Sequence, residues 1–290
     1  MNPKTFNWYG ASQSQYLAPT IGSVFYQDGT NGLDANPGTL EAPFLTLTAA
    51  LAACTGGAND YIFSLGNPGD GGEAAWPIDI NVSKVHIIGT PTQASPSPDF
   101  TPPGDTDCFT LSASNVEIAG LQLAAGATAA CLASSGSVWK VNIHHNWFAP
   151  IAGARDGIHQ EGLVDCPHWY IWRNVFGNPD AGITRDCIRV DNNMTRSHFR
   201  DNFFHVTSGG LGIHFFGLCT GSMAVLDNRF NCPDAGAGEA ITLSATAIIF
   251  ADGNHAGQGK VGMANNPYVD TNGTGNWGVN YQPGAIILPA

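Results

Sequence analysis

The stretch Asn146-Trp147-Phe148 recurs along the chain, and this recurrence decides the fold. The later copies are Asn174-Val175-Phe176, Asn202-Phe203-Phe204 and Asn228-Arg229-Phe230. The steps between the four copies are 28, 28 and 26 residues, and a degenerate fifth copy begins at Asn254. Self-similarity at this period indicates a stack of repeated structural units.

Each copy follows a short apolar run such as Val141-Asn142-Ile143, whose alternation is typical of a β-strand. The sequence therefore predicts a parallel β-helix with one coil per repeat and neighbouring coils about 4.8 Å apart. At that spacing an Asn in every coil can donate to one neighbour and accept from the other, while the Phe two residues later stacks in the core. The alternative is that Asn-x-Phe marks turns of a β-sandwich, and the even spacing argues against it.

A second column repeats a small residue, an apolar residue and a variable one. Its members are Cys108-Phe109-Thr110, Cys131-Leu132-Ala133, Gly157-Ile158-His159, Cys187-Ile188-Arg189, Gly212-Ile213-His214 and Ala240-Ile241-Thr242. We expect the middle residue to face the core and the third to face outward. His159, Arg189 and His214 would then line one outer face, one rung apart. Together the two columns predict about six or seven coils, from about Tyr61 to about Ala256.

Composition restricts the possible partners. The chain has 290 residues and a net charge of −12, which disfavours non-specific nucleic-acid binding. All seven Arg lie between Arg155 and Arg229 together with eight Asp or Glu, so a basic patch and a face of paired charges both stay open. There is no apolar run of about 20 residues that would predict a membrane span. The N-terminal residues Met1–Thr5 show no signal-peptide pattern, so we expect synthesis in the cytoplasm without an evident signal.

The chain divides into three segments. Residues 1–22 are polar and aromatic without a period, and we expect an N-terminal arm. Residues 23–256 form the β-helix domain, with a short apolar helix at about 43–54 that covers its open end. Residues 257–290 form a C-terminal tail with an apolar end. The seven Cys are an odd number and show no metal-ligand spacing, so we expect mostly reduced thiols, no metal and no cofactor.

The segment from Asp28 to Cys54 resembles the entry module of pectate-lyase-like right-handed β-helix proteins. The matching stretches are Asn36-Pro37-Gly38-Thr39, Ala42-Pro43-Phe44 and the Ala-Ala-Leu helix. The resemblance covers about residues 23–256. It implies an all-β, single right-handed parallel β-helix with an N-terminal cap helix and extended terminal arms. That superfamily includes lyases, glycoside hydrolases, epimerases, phage tailspikes, and coat or decoration proteins without activity.

Three stretches are similar to motifs of the polygalacturonase-type glycoside hydrolases. They are Arg155-Asp156-Gly157-Ile158, Thr184-Arg185-Asp186-Cys187-Ile188 and Gly209-Gly210-Leu211-Gly212-Ile213. The resemblance implies Asp156 and Asp186 as the catalytic carboxylates. The sequence departs from the family at two positions, because Arg185 replaces a carboxylate and Leu211 replaces a His. The family's downstream Arg-x-Lys motif has no match.

These residues support three interpretations. An inverting glycosidase needs one protonated acid and one ionised base, and Asp156 and Asp186 on adjacent coils could supply them. Arg155 and Arg185 oppose the acid role, because a nearby cation favours the ionised carboxylate, and a stabilising Arg–Asp ladder is the simpler interpretation. Lyase chemistry would use Arg189 as the base between His159 and His214. The candidate ligand-binding residues are Arg155, His159, Arg185, Arg189 and His214.

Trp139, Trp147, Trp169 and Trp172 cluster within two coils. If Trp169-Tyr170-Ile171-Trp172 stays extended, Trp169 and Trp172 fall on opposite faces, so we expect at least one Trp to face outward.

The expected function is a non-catalytic structural or adhesive protein of a virus (bacteriophage) particle, such as a capsid decoration or tail-associated protein. The alternative is a polysaccharide-acting hydrolase or lyase using Asp156 and Asp186. The expected partners are further copies of the chain, with a trimer favoured, or capsid and tail proteins, together with a polysaccharide. The expected location is the virion or the extracellular space, without a membrane or nucleic-acid partner.

Overall fold

The computed structural model describes residues 22–65, 72–90, 97–149, 155–161, 165–177, 183, 185–206, 209–231, 238–257, 267–282 and 285–287. One helix, α1, covers Leu47–Ala53. The strands in chain order are β1 (Val24–Asp28), β2 (Asp60–Leu65), β3 (Ile78–Ile80), β4 (Val85–Thr90), β5 (Asp99–Phe100), β6 (Phe109–Leu111), β7 (Glu117–Ala119), β8 (Gln122–Ala124), β9 (Ala130–Ser134), β10 (Val141–His144), β11 (Trp147–Ala149), β12 (Asp156–Gln160), β13 (Trp169–Trp172), β14 (Val175–Phe176), β15 (Asp186–Val190), β16 (Ser197–Arg200), β17 (Phe203–His205), β18 (Leu211–Phe215), β19 (Cys219–Leu226), β20 (Arg229–Asn231), β21 (Glu239–Leu243), β22 (Ala247–Asp252), β23 (His255–Ala256), β24 (Tyr268–Asp270), β25 (Asn276–Trp277), β26 (Asn280–Gln282) and β27 (Ala285–Ile287).

The strands form three sheets in which successive coils pair in the parallel sense, apart from the antiparallel pair β26–β27 at one end of sheet 2. Sheet 1 has the order β1-β2-β4-β7-β10-β13-β16-β19-β22-β25. Sheet 2 runs β27-β26-β23-β20-β17-β14-β11-β8-β5, and sheet 3 runs β24-β21-β18-β15-β12-β9-β6-β3. The coils wind in a right-handed sense for about seven turns. The predicted fold, an all-β right-handed parallel β-helix of about six or seven coils, is confirmed.

The Asn ladder is confirmed and is longer than predicted. Within the described residues it runs through Asn146, Asn174, Asn202, Asn228, Asn254 and Asn280. Each side-chain amide donates to the Oδ1 of the next Asn, at 2.9–3.1 Å. The same Oδ1 also accepts from the backbone N–H of the preceding Asn, at 3.0–3.1 Å. The ladder therefore satisfies the backbone at the bend between sheets 1 and 2, where water has no access.

The Phe stack lies directly inside this bend. The ring centroids of Phe148, Phe176, Phe204 and Phe230 are 4.6, 4.8 and 4.7 Å apart in turn, with the rings almost parallel. All four side chains are fully buried. The residues of the second column also pair as predicted, because Leu132, Ile158, Ile188, Ile213 and Ile241 are register partners in sheet 3.

Helix α1 packs its buried residues Leu47, Ala50 and Leu51 into the first coils. It is shorter than the predicted 43–54. Phe44 bridges to Gln27 in the parallel sense, so the chain before the helix is extended. The helix then begins after Thr46, whose side chain caps the N–H of Ala49 at 3.0 Å.

The two terminal segments differ in how much of them the structure describes. The predicted arm 1–22 lies outside the described residues except for Gly22. The segment 257–290 contributes β24, β25 and β26 to the three sheets, and β27 pairs with β26 in the antiparallel sense. No disulfide joins two of the six described cysteines, and Cys232 lies outside the described residues.

Candidate functional site

The seven predicted site residues come together on the outer side of sheet 3. Asp156 and Asp186 are register partners at the start of β12 and β15, and Arg155 and Arg185 precede them. The outward residues His159, Arg189 and His214 are also register partners on three successive strands, as predicted. Four of these side chains have little or no contact with solvent, because Asp156, Asp186, His159 and His214 are all buried.

Asp156 is enclosed by two guanidinium groups. Arg185 donates from Nε to Oδ1 at 2.8 Å and from Nη2 to Oδ2. Arg155 donates from Nε to Oδ2 at 3.1 Å. The carboxylate itself has no exposed surface. Both of its oxygens are therefore held by guanidinium groups.

Asp186 has cations on one oxygen alone. Its Oδ2 accepts from Arg189 Nη1 at 3.2 Å and lies 3.1 Å from His214 Nδ1. Arg185 Nε is 3.6 Å from the same oxygen. Its Oδ1 is buried and has no hydrogen-bond partner among the described residues. Among the carboxylate oxygens of Asp156 and Asp186, Oδ1 of Asp186 alone has no hydrogen bond from a described residue.

His159 lies between carboxylates on both sides of its ring. Nδ1 is 2.9 Å from Glu161 Oε1, and Nε2 is 2.9 Å from Asp191 Oδ2. His159 thereby joins Glu161, which follows β12, to Asp191, which follows β15.

Asp191 closes the network at the ends of β12 and β15. Burial raises the pKa of Asp191, but the hydrogen bond from His159 and the charge of Arg189 outweigh it, and the pKa lies below its usual value. Arg189 Nε is 2.7 Å from Asp191 Oδ1, although the N–H is poorly aligned for a hydrogen bond. The Arg189 guanidinium also lies 3.8 Å from the ring centroid of Phe216, which holds it over the sheet.

This arrangement suits a structural ion-pair ladder better than acid–base catalysis. A glycosidase needs one carboxyl that holds a proton. Asp156 has guanidinium groups on both oxygens, and Asp186 has Arg185, Arg189 and His214 around Oδ2. The geometry thus brings the predicted carboxylates together on adjacent rungs, with basic side chains around both.

A second cluster lies on the outer face of sheet 1 and was not found from the sequence. Glu117 accepts from His144 Nε2 at 2.8 Å and faces His86 Nδ1 at 2.6 Å. The hydrogen bonds of His144 and His86 outweigh burial and lower the pKa of Glu117 to about 2. Asn142 also donates to Glu117, at 3.1 Å. A signal for this face existed, because Asn142, Tyr170 and His198 each lie four residues before a ladder Asn.

Two open clefts flank sheet 1. One of about 430 Å³ borders the Glu117 cluster and is lined by Asn59, Lys84, His86, Asn115, Val116, Glu117, Lys140 and Asn142. The other, of about 410 Å³, lies at the bend to sheet 2 and is lined by Arg173, Asp201, Asn202, Phe203, Asp227, Arg229, Gly253 and His255. Neither cleft contains Asp156 or Asp186.

The tryptophans divide between the core and the surface. Trp169 is fully buried, and its Nε1 donates to the carbonyl of Val138 at 2.8 Å. Trp172 points outward on the same strand, where its ring stacks on His144 with centroids 4.6 Å apart. The expectation that at least one Trp of this stretch faces out is confirmed. Trp139 is also exposed.

The described residues offer neither a metal site nor a membrane-spanning helix. Within the described ranges, His, Cys, Asp and Glu side chains form no group of three or more that could hold a metal ion. None of the helical segments in the described part of the chain has the length and hydropathy of a membrane span.

Comparison with known proteins gives one structural likeness and no sequence match. No protein-family model matches the chain, and no curated protein matches it. Among solved structures, the chain is similar to the crystal structure of pectate lyase Pel9A, with 11% sequence identity and a TM-score of 0.44. The match covers 92% of this chain and 81% of that one. The pectate-lyase-like β-helix architecture expected from the sequence rests on the strand order and register described above.

Proposed function

We propose that the protein is a non-catalytic structural or adhesive β-helix protein. The observation that carries this proposal is the state of Asp156 and Asp186, which are buried and held by Arg155, Arg185, Arg189 and His214. Two of these residues, Arg185 and His214, contact the Asp of the preceding coil and so link successive coils across sheet 3. Their role is therefore to hold the rungs together rather than to activate a substrate.

The narrower form of this proposal is a component of a virus particle, such as a bacteriophage capsid decoration or tail-associated protein. Its support is the loss of two motif residues, since Arg185 and Leu211 stand where the related hydrolases carry Asp and His. A rigid solenoid whose coils are hydrogen-bonded to one another is also suited to an exposed position outside the cell. Antibodies against the purified protein should label particles prepared from source cultures. Signal confined to the soluble lysate would contradict this form of the proposal.

A polysaccharide-acting hydrolase or lyase is the second candidate. It is favoured by the adjacent-rung register of Asp156 and Asp186 and by the unpaired Oδ1 of Asp186. The two candidates are separated by incubating the protein with polygalacturonate, alginate and bacterial capsule or O-antigen preparations. We expect neither new reducing ends nor unsaturated uronate absorbance. Turnover that disappears in Asp186→Asn would establish the enzyme instead.

We further propose that the protein acts as a homo-oligomer, with a trimer favoured, or docked on capsid or tail proteins. The support is the apolar content of residues 1–22, which include Phe6, Trp8, Tyr9, Tyr16 and Leu17. Identical subunits most simply close by rotational symmetry. Light scattering at micromolar concentration should give a multiple of the 30.4 kDa chain. A monomer whose mass is unchanged on deletion of residues 1–22 would exclude self-assembly through this segment.

A further inference from the structure

The outer surface of β10, β13 and β16 differs in charge from the rest of this acidic protein. The six side chains that point outward from these strands include no carboxylate, and they are Asn142, His144, Tyr170, Trp172, His198 and Arg200. The chain as a whole carries a net charge of −12. We call this surface, with the residues that flank its three strands, the cationic face.

The residues that flank these strands add further cations in an unusual backbone conformation. Lys140, His168 and Arg196 precede the strands with φ of 55°, 62° and 57°. His145 and Arg173 follow β10 and β13 with φ of 55° and 52°. The same conformation recurs at Lys84, Asn115, Asp201 and Asp227, so it belongs to the turns of the repeat. Around β10, β13 and β16, five of these turn positions are occupied by cationic or titratable residues.

Three of these cations lack a counter-charge. Lys140, Arg173 and Arg196 are exposed and form no ion pair with any described residue. Two edges of the face carry carboxylates: Arg200 pairs with Asp201 at 3.3 Å and Asp227 at 3.7 Å, and Glu117 on β7 contacts His144 at 2.8 Å. The unpaired positive charge of the face therefore lies on Lys140, Arg173 and Arg196.

Two of these three cations, Lys140 and Arg173, are held in place by aromatic rings. Lys140 Nζ lies 4.8 Å from the ring centroid of Trp139, and the Arg173 guanidinium lies 5.4 Å from that of Trp172. Trp172 is fixed in turn by a hydrogen bond from its Nε1 to Asn142 Oδ1 at 2.9 Å. Side chains that are already ordered lose less entropy when they bind a ligand.

The titration of two histidines is consistent with this excess of cations. Burial first, then His144 and Arg173, lower the pKa of His145. Burial first, then Arg200, lower the pKa of His198, whose ring stacks on Tyr170. Because a bound anion would offset the charge of these neighbours, we expect anion binding to be accompanied by proton uptake on this face.

We propose that the cationic face binds an anionic oligosaccharide. From His168 to Arg173 the face is about 17 Å wide, and three rungs span about 10 Å. That area is well below the ~800 Å² per partner of a stable protein interface, but it fits a few sugar units. The rings of Tyr170 and Trp172 already stack on histidines, which disfavours stacking of nucleobases. The imidazole and amide groups can hydrogen-bond hydroxyls.

This inference rests on the adhesive part of the proposed function and concerns a different surface from Asp156 and Asp186. Binding and cleavage are therefore tested separately. A protein that fails to bind can still be non-catalytic, and a protein that cleaves through Asp186 can still bind on sheet 1.

Binding is measured by calorimetry with three probes, an oligogalacturonate, a sulphated dextran oligosaccharide and neutral dextran, plus a thymidine oligonucleotide. We expect one or both acidic oligosaccharides to bind, with affinity that falls as salt or pH rises, and neutral dextran not to bind. The carboxylate and sulphate probes identify which anionic group is preferred. Equal or tighter binding of the oligonucleotide, or no binding of either acidic saccharide, would overturn the proposal.

The double variant Lys140→Asn with Arg173→Asn removes two unpaired cations and keeps residues suited to left-handed backbone. Its affinity should fall at least about tenfold, as expected for the loss of charged hydrogen bonds. The matched control is Lys140→Arg with Arg173→Lys, which keeps both positive charges at the same two positions. An unchanged affinity in the double variant, or an equal loss in the control, would contradict the assignment.

Discussion

Arg185 lies one coil beyond Asp156 and holds it through Nε, 2.8 Å from Oδ1, and through Nη2 on Oδ2. The contact joins β12 and β15 on the outside of sheet 3. One of the two candidate carboxylates is therefore part of a link between coils. The link is a charged pair with one partner fully buried, which makes its energetic role testable.

Removing the guanidinium should be costly. In Arg185→Met, Asp156 keeps a single cation, Arg155, and its Oδ1 loses its hydrogen-bond partner. Breaking a buried pair from one side leaves an uncompensated charge, so we expect a loss of about 2–4 kcal/mol in the free energy of unfolding. Urea denaturation followed by circular dichroism measures the loss.

The double variant Asp156→Leu with Arg185→Met is the control for this prediction. It removes both charges, so its stability should recover most of the way towards that of the parent protein. A single variant as stable as the parent would show that the pair contributes nothing to the link between coils.

The Asn ladder allows a second test. Asn202 receives two hydrogen bonds from Asn174 and donates to Asn228 and to the carbonyl of Ile171 at 2.9 Å. Asn202→Ala leaves buried backbone groups without partners, so we expect a loss of about 3 kcal/mol. Asn276→Ala, at an exposed position on β25, should change the free energy of unfolding by less than about 0.5 kcal/mol. Equal unfolding midpoints in urea for the two variants would contradict the structural role of the ladder.

The repeat itself made the architecture predictable. Asn and Phe recur at fixed positions because every coil makes the same bend between sheets 1 and 2. Their spacing therefore predicts the number of coils and the residues that pair between neighbouring strands. Asn254 was found as a degenerate copy because Ala256 replaces its Phe, and Asn280 was missed because Gln282 stands where the Phe would be. The helix start was misplaced because the bridge from Phe44 to Gln27 is a tertiary contact.

The candidate site was predictable in position but not in chemistry. Motif spacing placed Asp156 and Asp186 on adjacent rungs. Whether Arg185 points at Asp156 or into solvent depends on side-chain conformation, which the spacing does not contain. The Glu117 cluster was missed because its column carries different residues in every coil, and Leu121 stands where the ladder Asn would mark it.

The stacked rings give a third prediction. Phe204 is fully buried between Phe176 and Phe230, with centroids at 4.8 and 4.7 Å. Phe204→Ala should lower the free energy of unfolding by about 3–5 kcal/mol, since it opens a cavity in the middle of the stack. Phe250→Ala is the control, because the ring of Phe250 is 49% exposed. Thermal unfolding should separate the two variants clearly, and a larger loss for Phe250→Ala would contradict the core assignment.

The Glu117 cluster predicts how stability changes in acid. Hydrogen bonds from His144 and His86 lower the pKa of Glu117 to about 2 in the folded protein, against 4.5 as its ordinary value. A carboxylate with a lowered pKa contributes stability above its unfolded pKa and loses it as the pH falls through the folded one. The contribution of Glu117 should therefore be complete above about pH 5 and disappear between about pH 4.5 and pH 2.

Glu117→Gln lacks this ionisation, so its melting temperature should lie below that of the parent protein at pH 7 and approach it at pH 2.5. His255→Gln, in which the changed ring stacks on Tyr281 and lies away from Glu117, serves as the control and should keep the acid dependence of the parent. Parallel melting curves for the parent protein and Glu117→Gln across this range would show that the contacts with His86 and His144 do not stabilise the ionised carboxylate.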